Sequence, residues 1–103
     1  MDFFVSSRLE DGHIIVEVTF PHAEPGAKYA YYLFETRRGI VEKKFYSEDL
    51  FCLFQLQKSG DYYVKVFVRT WPNGPKGEPV TVTKLTNTYV FYAPVSLSYE
   101  ELA

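Results

Sequence analysis

The chain has one cysteine, one tryptophan and no apolar run long enough to cross a membrane, which takes about 20 residues in a helix. A lone Cys52 excludes an intrachain disulfide, so packing alone must hold the fold, and it leans towards a reducing compartment. The opening Met1-Asp2-Phe3-Phe4-Val5-Ser6 lacks the basic n-region and long apolar stretch of a secretory leader. A cytoplasmic location follows, or an extracytoplasmic one if the sequence is a domain excised from a longer protein. A basic field is missing as well. The formal charge is -2 and the pI is near 5.6. The only basic doublets, Arg37-Arg38 and Lys43-Lys44, read as a solvated hairpin. This balance argues against nucleic acid as a partner.

Reactive clusters are equally scarce. His13 and His22 have no Cys, Asp or Glu at the spacing of a zinc site, so no metal or other cofactor is expected. Cys52 lies between Phe51 and Leu53 and reads as a small buried hydrophobe, with no neighbouring base to activate it. Glu10-Asp11, Glu48-Asp49 and Glu100-Glu101 fall in turns or in the tail. They do not face one another across a cleft of ~5–9.5 Å, as paired glycosidase carboxylates must. Neither a Gly-rich phosphate loop nor a Gly-x-Ser-x-Gly elbow is present. The expected function is therefore non-enzymatic.

What the chain does have is aromatic residues and strand signals. Aromatics make up 18% of it, with nine Tyr and nine Phe. Each ring can bury ~150–250 Å², more than a core this small can absorb in full, so some rings belong on a face or in loops. Apolar alternation of period two recurs between turn residues, and no long segment has helical period. Strands are expected at Phe3 to Leu9, His13 to Phe20, Lys28 to Glu35, Ile40 to Tyr46, Leu50 to Leu56, Asp61 to Thr70, and Val80 to about Ala93 with a bend near Thr86-Asn87. Asp11-Gly12 suits a tight hairpin, whereas Pro21 to Gly26 and Trp71 to Pro79 are loops. The fold class is all-β, an immunoglobulin-like antiparallel β-sandwich of about seven strands covering residues 1–94. Residues 95–103 are expected to be a linker or the start of a helix, because Ser98 and Glu101 have capping-box spacing.

Leu56-Gln57-Lys58-Ser59-Gly60-Asp61-Tyr62 carries the sharpest signal. A leucine ends one strand, a turn follows, and a tyrosine opens the next, as in the tyrosine corner of such sandwiches, where the hydroxyl bonds to backbone just upstream. Together with Tyr29, Tyr31 and Leu33 on the third strand, Leu56, Gly60 and Tyr62 give a pattern that resembles the bacterial triple-tyrosine domain and, more broadly, fibronectin type III modules. The resemblance covers about Lys28 to Arg69. It implies an accessory module beside a sensor, a transporter or a carbohydrate-active enzyme, with no chemistry of its own.

The corner also sets the strand phase. If Tyr62, Val64, Val66 and Val68 face inward, then Tyr63, Lys65, Phe67 and Arg69 face outward. An inward Tyr29, Tyr31 and Leu33 likewise leaves Ala30, Tyr32 and Phe34 outside. Either Tyr89 with Phe91 or Val90 with Tyr92 would extend that face. The candidate binding residues are therefore Tyr32, Phe34, Tyr63 and Phe67, with Trp71 as a separate contact at the mouth of its loop. Three readings stay open for them: cross-strand ring pairs that only stabilise the sheet, a surface for a neighbouring domain, another protein or a second copy, and sugar stacking as in a carbohydrate-binding module. An extracytoplasmic sensor domain is a further alternative.

Overall fold

The computed structural model describes residues 2–22 and 24–94. Eight strands form: β1 (Phe4–Glu10), β2 (His13–Thr19), β3 (Lys28–Glu35), β4 (Gly39–Ser47), β5 (Phe51–Gln55), β6 (Gly60–Thr70), β7 (Val80–Leu85) and β8 (Tyr89–Phe91). They make an all-β sandwich of two antiparallel sheets. One sheet has the order β1-β2-β5, the other β4-β3-β6-β7, with β8 also pairing β6. The expected last strand is thus two pieces on one edge of β6. Thr86 explains the split. Its N–H donates to the Val64 carbonyl at 2.9 Å, and its Oγ1 accepts from the Val64 N–H at 2.9 Å and donates to the Asn87 carbonyl at 2.9 Å. A side chain replaces one rung of the ladder there, and the backbone leaves the edge before returning as β8.

Local chemistry accounts for the tight turns. Asp11 (φ 50°) and Gly12 (φ 73°) both take positive φ between the paired Glu10 and His13. Such a pair matches the right-handed twist of its flanking strands. Alternation fixes the core: Ile14, Val16 and Val18 of β2 and Cys52 and Phe54 of β5 meet Tyr29, Tyr31 and Leu33 of β3 and Tyr62, Val64, Val66 and Val68 of β6, with Phe3 among them. Each fully buried valine contributes ~1.5–3 kcal/mol.

Both open seams between the sheets are bridged. At one, the Ser7 and Tyr89 hydroxyls lie 2.7 Å apart and Lys84 Nζ donates to the Phe3 carbonyl. At the other, Lys44 Nζ donates to the Leu53 carbonyl at 2.5 Å. Lysines at these positions also blunt edges open to pairing with other chains. The helix start expected near Ser98 lies outside the described residues.

Candidate functional site

Two features converge on β3 and β6: a polar clamp inside one end of the sandwich and an aromatic surface outside. In the clamp, the Tyr62 hydroxyl donates to the Lys58 carbonyl at 2.6 Å, which is the expected tyrosine corner. Arg38 Nη2 donates to the same hydroxyl at 2.8 Å and to the Ser59 carbonyl at 3.3 Å. Beside them sits Glu35, only 4% exposed. Its carboxylate accepts the backbone N–H groups of Arg37 (2.9 Å), Arg38 (3.0 Å) and Asp61 (3.0 Å). These bonds to the charged form hold its pKa down at about 2, the Asp61 bond contributing most. Gly60 belongs to the same construction, because a Cβ there would lie 2.9 Å from Glu35 and Arg38 side-chain atoms. The Arg37-Arg38 doublet is therefore not simply a solvated hairpin. Arg38 ties the β3–β4 turn to the β5–β6 loop, which no local sequence pattern announces.

The outer face of the larger sheet is built in rows. Phe34 lies opposite Tyr63, and their rings are stacked 5.1 Å apart and 2° from parallel. In the next row Tyr32 is paired with Lys43 on one side and Lys65 on the other. Beyond it Ala30 pairs with Phe67, and then Lys28 with Arg69. The four sheet residues expected to cluster, Tyr32, Phe34, Tyr63 and Phe67, do share this face and are half-buried. Of the two alternatives for the last strand, Val90 and Tyr92 are the exposed pair.

Phe45 and Tyr46 also join the face, and period-two reasoning misses them. Between Tyr29 and Tyr31 the β3–β4 register slips, so that Tyr29 pairs with Ser47 and Tyr31 with Lys44. The bulge lets two consecutive residues of β4 reach one side. Phe45 meets the Tyr32 ring edge-on at 6.4 Å, and Arg69 lies 4.0 Å over the Tyr46 ring. Ala30 is roofed by this arrangement and only 1% exposed, although its Cβ points out of the sandwich. The ring faces are largely occupied. Tyr32 packs against Phe67 at 4.7 Å with Lys43 Nζ 5.2 Å from its centre, and Lys65 Nζ lies 5.3 Å from the centre of Phe67. Phe45 is the exception, 70% exposed.

Trp71 does not join this face. It lines a separate pocket of about 560 Å³ with Pro25, Gly26, Gly74 and Pro75. Another depression, of about 400 Å³, opens between the β4 and β5 edges over Leu33, Leu56 and Tyr62. Cys52 is buried, and desolvation pushes its thiol up to about 11. Burial likewise raises the pKa of Tyr31, whose hydroxyl donates to the Asp49 carbonyl at 2.6 Å. His13 Nδ1 lies 2.8 Å from the Asp11 carbonyl. Among the described residues no group of three or more His, Cys, Asp and Glu side chains is placed to hold a metal ion, and no helix is long and apolar enough to cross a membrane. No family model matches the chain, and no curated protein matches it either.

Proposed function

We propose that the chain is a non-catalytic interaction module, an immunoglobulin-like accessory domain of a larger bacterial protein, and that it docks a neighbouring domain or a partner protein through the outer face of the β4-β3-β6-β7 sheet. The observation that carries this reading is the composition of that face: Tyr32, Phe34, Phe45, Tyr46, Tyr63 and Phe67 lie together on one side of the sheet, with Phe45 70% exposed. Contiguous exposed apolar surface marks interfaces in soluble domains, and Tyr and Phe are enriched at interface centres. Support for the immunoglobulin-like class comes from the two antiparallel sheets, β1-β2-β5 and β4-β3-β6-β7, and from the Tyr62 corner. The inward Tyr29, Tyr31 and Tyr62 fit the triple-tyrosine likeness.

Sugar stacking is a weaker reading for this face, because stacking needs an open ring face and most of these are taken by another ring or a cation. It is better supported at Trp71, whose pocket is walled by two prolines. A flat Trp71 fluorescence response to neutral and acidic polysaccharides would remove it. The docking reading is tested with a photo-crosslinking amino acid at position 45 in the full-length protein, and at position 51 on the opposite sheet for comparison. Cross-links to one defined protein surface are expected from position 45 and not from position 51. Absence of any cross-link from position 45 would overturn the reading.

A further inference from the structure

Charge on the aromatic face is one-sided. Lys43 and Lys65 flank Tyr32 in one row, and Arg69 stands four residues beyond Lys65, about 13 Å along β6. Among the described residues none of the three forms an ion pair with a carboxylate. Lys28, beside Arg69, is already bound to Glu48 at 2.7 Å. Asp61 is the one acidic residue at an outward position of β6, at its far end opposite Val90. The chain as a whole carries a charge of -2, yet this face is cationic.

The rings add to that sign. An aromatic ring is negative over its face and positive at its edge. The Phe34–Tyr63 stack has its faces turned against each other, and Tyr32, Tyr46 and Phe67 have theirs against rings or cations. Apart from Phe45, mainly edges and ammonium groups are left for a visitor, and both favour anions. Lys43 and Lys65 stand on either side of Tyr32 without a carboxylate partner among the described residues, each over an aromatic ring. An incoming carboxylate would supply the missing counter-charge.

We propose that the occupant of this face is an acidic polypeptide segment with carboxylates spaced around an apolar residue; this rests on the docking reading above. An extended segment laid along the strands presents side chains to the sheet every ~6.8 Å. Carboxylates two rows apart then meet Lys43 and Lys65 at one end and Arg69 at the other, while an apolar residue between them sits against Phe45 and Phe67. Single-stranded nucleic acid is disfavoured on the same geometry, because bases need free ring faces for stacking. Anionic polysaccharide would use the charges and leave Phe45 uncovered.

The test is titration of the isotopically labelled protein with poly-L-glutamate, with oligodeoxythymidylate and heparin as comparisons, followed by amide chemical shifts. Poly-L-glutamate should shift β4 and β6 amides around Lys43, Lys65 and Arg69, and binding should weaken steeply with salt. Lys43→Gln with Lys65→Gln, which keeps the stems and removes the charge, should lower affinity about tenfold, and its unchanged folded spectrum would exclude unfolding as the cause. If the double variant does not fold, Arg69→Gln alone serves the same purpose. Tighter binding of oligodeoxythymidylate or heparin at this face, or no shift with poly-L-glutamate, would overturn the proposal. If cross-links still form from position 45 while poly-L-glutamate is silent, the face is an interface whose partner is not acidic, and only this inference falls.

Discussion

Tyr62 and Tyr63 are neighbours with opposite roles, and a single oxygen atom separates them experimentally. Tyr62 is buried, donates to the Lys58 carbonyl at 2.6 Å and accepts from Arg38 at 2.8 Å. Tyr63 lies on the outer face stacked on Phe34 and makes no side-chain hydrogen bond among the described residues. Tyr62→Phe should therefore cost about 0.5–1.5 kcal/mol for the bond to Lys58, and more in total because Arg38 loses one of its acceptors. Tyr63→Phe should change stability by less than ~0.5 kcal/mol. Urea midpoints of the two variants check this, and equal losses would mean the strand phase is wrong. Tyr62 was readable in advance because its signal is local: a leucine, a turn and an alternating strand within a few residues. Glu35 was not. In the sequence it is one more acidic residue ending a strand, and only the fold brings the Asp61 N–H to its carboxylate.

Elements built on strict alternation were legible, and so was the bend near Thr86-Asn87 between β7 and β8, but the register slips inside β4 were not. β3 occupies Lys28–Glu35 as expected, and β6 runs Gly60–Thr70 with one extra residue at its start. Each has both neighbours in place, so its side chains alternate without interruption. β4 is an edge strand whose register slips twice against β3, and each slip changes which residues face outward. That is why Phe45 and Tyr46 escaped a period-two reading, and why Lys44 could turn inward to the Leu53 carbonyl. The break between β7 and β8, at the expected bend, can be tested. Val64 is fully buried, and its N–H has Thr86 Oγ1 as acceptor. Thr86→Ala should orphan that N–H and cost about 1–3 kcal/mol. Thr86→Ser keeps the oxygen and should recover most of the loss. If the alanine variant matched the serine variant in thermal and urea denaturation, the Thr86 hydroxyl would not be holding the break.

For the molecule as a whole, ionisable groups with shifted pKa values set limits on stability from both ends of the pH scale. On the acid side, Glu35 has a folded pKa of about 2, below its ordinary value near 4.3, and Glu48 is lowered too by its bond to Lys28. A depressed carboxylate stabilises the fold above its unfolded pKa. That contribution is lost as pH falls from about 4.3 towards 2, because the unfolded chain takes up the proton first. On the alkaline side, burial raises Cys52 to about 11 from an ordinary value near 8.5, and it raises Tyr31 further still. A raised acid stabilises the fold below its unfolded pKa, and the contribution drains away as pH climbs through the folded one. Stability should thus be flat from about pH 4.5 to 8.5 and fall on each side. Urea midpoints measured from pH 2 to 11 should show this plateau. Glu35→Gln should be less stable at neutral pH with a shallower acid limb, since the group responsible for most of that slope no longer titrates. Cys52→Ala should delay the alkaline decline to about pH 10, where the tyrosines of the unfolded chain begin to ionise. An acid limb as steep in Glu35→Gln as in the parent would place the controlling carboxylate elsewhere. The Glu35–Arg38–Tyr62 clamp would then be a local brace at one end of the sandwich and not the lock that acid opens.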